Sequence, residues 1–111
     1  MAVSKIKKQD QASNPTGLGT YVGITNYSSK AGAYNIPSDG LIWVQSRYSS
    51  GNYIGVTVCN EDGTNERAVQ IGGTGAANIS TMFPVFKGMK AWVSSNNGQN
   101  NFADFIPYKY D

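Results

Sequence analysis

The side chains that could do chemistry here are few. The chain has no histidine and one cysteine, Cys59, beside seven acidic residues. Without histidine there is no imidazole base, no serine–histidine–aspartate triad and no histidine-held zinc. Cys59 closes the run Tyr53-Ile54-Gly55-Val56-Thr57-Val58-Cys59, where a cysteine packs as a small hydrophobe and is not exposed as a nucleophile. A lone cysteine also excludes an intrachain disulfide. The carboxylates Asp10, Asp39, Glu61, Asp62, Glu66, Asp104 and Asp111 could pair as the two acids of a glycosidase. Nearly all of them fall in turn-like or terminal segments, which argues against that use. No enzyme activity, cofactor or metal is expected.

Two loops invite a ligand reading and do not carry it. Asn60-Glu61-Asp62-Gly63-Thr64-Asn65 sets two carboxylates near amide oxygens. It lacks the alternating acidic spacing and distal glutamate of a calcium loop, and Asp-Gly is a common hairpin turn. Gly72-Gly73-Thr74-Gly75 lacks the following Lys-Ser/Thr of a phosphate cradle and reads as a flexible loop.

The remaining candidates bind instead of reacting. Tyr27, Tyr34, Tyr48 and Tyr53 fall near loops, and such rings beside asparagine amides are what sugar sites use. Strand-end packing with a wet hydroxyl is the competing explanation for the same four. At the start of the chain Lys5, Ile6, Lys7 and Lys8 form a basic segment. It reads as an attachment point for an acidic partner surface or as a solvated end.

The elements that must position these residues are strands. The 111 residues are enough for one domain. Apolar residues make up 40% and charged ones 14%, too apolar for a disordered chain. Gly, Ser, Asn and Thr supply most of the polarity, while Tyr, Val, Ile and Thr favour strands. A net charge of +2 makes no case for nucleic acid. No apolar run reaches the roughly 20 residues of a membrane span, and residues 1–19 lack the apolar core of an export signal.

Residues 1–19 show no periodicity and are expected to be a flexible arm that attaches the protein to something larger, with the folded domain spanning 20–111. Short β runs follow at Thr20–Tyr27, Ala33–Ile36, Leu41–Tyr48, Tyr53–Cys59, Arg67–Ile71, Met82–Phe86, Met89–Val93 and Phe102–Tyr108. About eight short antiparallel strands separated by turn residues predict an all-β fold, a single β-sandwich or jelly-roll-like knob. Ile54, Val56 and Val58 share one strand face and point to the core. Leu41–Tyr48 is apolar on both faces, as are Met82–Phe86 and Phe102–Tyr108. These wide strands predict a second covering layer or a homo-oligomer, with Trp43, Val44, Phe83, Val85 and Phe105 as core or interface residues and Trp43 largely buried.

Three segments are familiar. Ile36-Pro37-Ser38-Asp39-Gly40-Leu41-Ile42-Trp43-Val44, Met82-Phe83-Pro84-Val85-Phe86-Lys87-Gly88-Met89 and Phe105-Ile106-Pro107-Tyr108-Lys109 resemble, in that order, strand elements of small bacteriophage fibre and tail-fibre tip domains. The resemblance covers residues 36–109. It implies a β-sandwich knob, usually a homotrimer, fixed to capsid or tail proteins of a virion and often in contact with bacterial surface glycans. It also implies synthesis in the host cytoplasm. Such fibres usually carry a long shaft, and fewer than 20 residues precede the knob here. A stand-alone carbohydrate-binding module or lectin is the alternative that the tyrosines keep open.

Overall fold

The protein is described by a computed structural model that covers residues 14–46, 52–72, 78–95 and 101–110. Nine strands are present among them: β1 Gly17–Leu18, β2 Val22–Gly23, β3 Tyr34–Asn35, β4 Gly40–Ser46, β5 Tyr53–Cys59, β6 Arg67–Gly72, β7 Ile79–Val85, β8 Lys90–Ser95 and β9 Asn101–Lys109. They form two antiparallel sheets. One runs β1-β9-β4-β7, with β2 also on β9, and the other runs β3-β8-β5-β6. The fold is the expected all-β sandwich.

Alternation builds the shared core. Ile42 and Val44 of β4, Ala103 and Phe105 of β9, and Val85 of β7 point inward from the first sheet. Ile54, Val56, Ala91 and Val93 meet them from the second, with Ile24 and Ile36 from the connections. Cys59 is fully buried at the end of β5. Pro84 sits in β7, which is an edge strand, where a residue without an N–H costs no ladder bond.

The hairpin expected around Asp62-Gly63 joins β5 to β6. Gly63 has φ +87° and Asn65 φ +61°, a backbone that glycine and asparagine tolerate best. The Asp62 carboxylate closes the turn itself, accepting from Thr64 Oγ1 at 2.6 Å and Thr64 N at 3.0 Å. These bonds hold its pKa below the ordinary value.

The three segments familiar from phage fibres meet at one end of the sandwich. Tyr108 N donates to Asp39 O at 3.0 Å, Ile36 N to Met89 O at 2.8 Å and Gly88 N to Ile36 O at 2.9 Å. Lys87 N donates to the Asp39 carboxylate at 2.9 Å. Gly40 lies flat on β9: a Cβ there would strike Ile106 O, and would come within 2.8 Å of Phe105 Cε1 and 2.9 Å of Pro107 Cα. The turn at Lys87-Gly88 carries the chain from β7 in one sheet to β8 in the other, so these residues build a corner.

Several expectations need correction. The first strand run, Thr20–Tyr27, shrinks to Val22–Gly23, because the chain there only brushes β9. Within the segment expected to be an arm, Gly17–Leu18 pairs with Lys109–Tyr108 and extends the sheet. Residues 1–13, with Lys5, Ile6, Lys7 and Lys8, lie outside the described residues. Trp43 is half-buried, not largely buried, because the inward side of β4 belongs to Ile42 and Val44. In the Met82–Phe86 run, Met82 is 59% and Phe86 58% exposed, so no second layer among the described residues covers them.

Candidate functional site

The outward-facing side chains of the first sheet come into line through the register of β4. Leu41 lies opposite Pro84 on one side and Ile106 on the other, and Trp43 opposite Met82 and Asp104. Gln45 lies opposite Ser80 and Phe102. Leu18 extends the row by pairing with Tyr108. Directly opposed side chains on one face stand about 5 Å apart at Cβ, so these residues form one continuous surface.

The surface is hollowed. Leu18, Trp43, Ser80, Thr81, Met82 and Ile106 line an open depression of about 430 Å³. Its wall is mostly apolar, with the Ser80 hydroxyl-bearing residue along one side. The indole of Trp43 packs edge-on against Phe102, ring centres 5.9 Å apart, which fixes its orientation. Asp104 stands beside the hollow as the cross-strand neighbour of Trp43. Burial pushes its carboxyl above the ordinary value. Among the described residues no ion pair offsets the cost of keeping a charge there.

The tyrosines singled out from the sequence do not form one site. Tyr34 packs inward, 5.9 Å from Phe105, and Tyr27 meets it edge-on at 5.1 Å. Burial, with a smaller effect from Tyr27, raises the pKa of the Tyr34 phenol. This is the strand-end packing reading. Tyr34 is in register with Ala91 and through it with Val58. Tyr53 is five residues from Val58 along β5, roughly 17 Å at strand rise. Tyr48 lies outside the described residues. Of the core or interface group, Val44, Val85 and Phe105 are in the core and Phe83 packs against it. Trp43 alone turns outward.

The carboxylates are scattered. Glu66 pairs with Lys30 at 3.1 Å in an exposed contact next to β6, whereas Asp104 is on the other sheet. They cannot act as paired acids. Among the described residues no cluster of three metal-ligating side chains occurs.

The residues that sequence reasoning missed are Leu18, Met82 and Ile106 as walls of a hollow, and Asp104 as a neighbour of tryptophan. The two-faced apolar pattern of β4, β7 and β9 was the available signal. It shows that outer apolar residues exist but not which strands lie side by side.

No family model and no curated protein matches the chain. Among solved structures the chain is similar to one described as a carbohydrate binding module, CBM6cm-2, from Cellvibrio mixtus lichenase 5A in complex with cellotriose. The identity is 16%, over 91% of this chain and 94% of that one, with a TM-score of 0.34. At that score the likeness assigns neither site nor ligand, and the hollow beside Trp43 rests on its own geometry.

Proposed function

We propose that this domain is a non-catalytic carbohydrate-binding module that takes sugar on the outer face of its five-stranded sheet. The observation that carries the reading is the Trp43 indole, held by Phe102 in an open hollow next to a carboxylate. A pyranose ring has an apolar C–H face and a polar rim. The indole and Ile106 suit the first. Ser80, Gln45 and Asp104 suit the second. Trp43→Ala removes the stacking surface and is expected to weaken binding at least about tenfold, or about 1.4 kcal/mol. Affinity electrophoresis through soluble polysaccharides, followed by titration calorimetry with oligosaccharides, measures this. Unchanged retardation of the variant, or no retardation of the native protein by any polysaccharide, rejects the reading.

A second reading is favoured by the exposure of Met82 and Leu18, 59% and 52%. Large apolar residues grouped on one face mark surfaces that partners cover. In this reading the face joins copies of the chain into the trimeric knob of a phage fibre or capsid decoration, as the resemblance of residues 36–109 implies. Light scattering at micromolar concentration decides: a trimer that Met82→Lys dissociates supports it, and a monomer rejects it.

A further inference from the structure

Asp104 is an odd residue for the surface it occupies. β1, β2, β4 and β7 contribute no charged residue to their sheet, their sequences being Gly-Leu, Val-Gly, Gly-Leu-Ile-Trp-Val-Gln-Ser and Ile-Ser-Thr-Met-Phe-Pro-Val. β9 carries Asp104 and Lys109. Strand alternation puts these two on opposite faces, and five residues separate them by roughly 17 Å. Tyr108, on the same face as Asp104, and the exposed Tyr21 are the nearest other titratable groups along the strands that flank it.

Among the described residues no hydrogen bond or ion pair engages the Asp104 carboxyl. It is half-buried against apolar neighbours, and that burial alone raises its pKa. An uncompensated charge costs stability, and a binding site is one reason for a sequence to carry it. A carboxylate next to an indole is a receptor for a cation. The ring face attracts positive charge within about 6 Å, tryptophan most strongly, and the carboxylate supplies a charge-assisted hydrogen bond.

We propose that the hollow selects a sugar bearing a protonated primary amine, with the ammonium seated between the Asp104 carboxylate and the Trp43 ring. This rests on the carbohydrate reading and names the sugar class. A neutral sugar would fill the same hollow but leave Asp104 with hydroxyl bonds only. An N-acetylated amino sugar offers an amide, without charge, where the ammonium would sit.

The test compares three soluble oligosaccharides of matched length by calorimetry at mildly acidic pH: glucosamine with free amines, N-acetylglucosamine and cello-oligosaccharide. The free-amine oligomer is expected to bind about tenfold tighter than the other two. Asp104→Asn, nearly isosteric, is expected to erase the preference and keep the weaker binding of the neutral sugars. The preference is also expected to fade as pH falls through the Asp104 pKa and as it rises through that of the amine. Shifts of the Trp43 indole resonance in the native protein report on the site without relying on a variant. Equal affinity for all three sugars overturns this proposal and leaves the carbohydrate reading standing. So does a preference that survives Asp104→Asn, which would place the cation elsewhere. No binding of any sugar overturns both.

Discussion

The two outer faces of the sandwich each carry one half-buried tryptophan, and they otherwise have little in common. Trp92 of β8 lies opposite Thr57, and around it the second sheet presents Gly55, Ala68, Gln70 and Ser94. Trp43 stands among Leu41, Met82, Ile106 and Asp104. Small and polar residues are what a water-facing sheet needs. Large apolar residues on an outer face add nothing to the core and leave hydrocarbon in water. The second sheet therefore presents a water-suited outer face, and the first presents an apolar one, the face on which binding is proposed. A fold needs one apolar face from each sheet, and only the first sheet has two.

If that difference is functional, inward substitutions must cost stability and outward ones on the first sheet must cost binding. The largest effect is expected at Phe105, 1% exposed and in contact with Tyr34. Phe105→Ala removes the largest fully buried side chain among the described residues and is expected to cost about 3–5 kcal/mol, measured by urea unfolding. A loss under about 1 kcal/mol would mean that the core is not where the two sheets meet.

Next comes Gly40, which lets β4 lie against β9 and so sets the floor of the hollow. Gly40→Ala drives a methyl group into Ile106 O and Phe105. Overpacking of this kind costs about 1–3 kcal/mol. The variant is expected to lose sugar affinity as well, because Ile106 must move. Full stability together with full binding would show that the β4–β9 contact is loose.

The two tryptophans give the most direct comparison. Each is half-buried, so Trp43→Ala and Trp92→Ala are both expected to cost about 1–2 kcal/mol of stability, roughly half of a full burial. Only Trp43→Ala is expected to weaken sugar binding. Parallel melts and titrations of the pair check this. Equal effects on binding would erase the distinction between the faces.

The smallest effect belongs to Asp104, and its sign is set by pH. Burial raises its folded pKa above the unfolded one. Between the two values the folded state therefore holds more protons. The stability contribution is complete below the unfolded pKa and is lost as pH rises through the folded pKa. Asp104→Asn is thus expected to raise the melting temperature at neutral pH and to leave it unchanged in acid. Thermal melts at both pH values test this, and a neutral-pH decrease would mean that the carboxylate has a partner that favours its charge.

Part of this architecture is legible in residue order. Ile54, Val56 and Val58 alternate with Tyr53, Gly55 and Thr57, and the structure buries the first set. The turn at Asn60–Asn65 follows from its glycine and asparagines. Other features are hidden from residue order for physical reasons. β4 is apolar on both faces, so alternation does not tell which of Ile42 or Trp43 faces the core, and a one-residue shift of register exchanges them. Tyr27 and Tyr34 do lie near loops, but the ring of Tyr34 is drawn inward by Phe105, a residue far from it in the chain.

The sequence by itself determined that the chain is all-β, that it has no histidine chemistry, and that it holds more apolar strand surface than one core needs. Those are local properties: side-chain shape, turn chemistry and period-two alternation act within a few residues. Only the tertiary structure decided that β4 lies between β7 and β9. That placement brings Met82 and Asp104 to opposite sides of Trp43, and Leu18 and Ile106 to one hollow. These pairings close loops of tens of residues. They are selected by burial of the whole core at once, and no short segment encodes them.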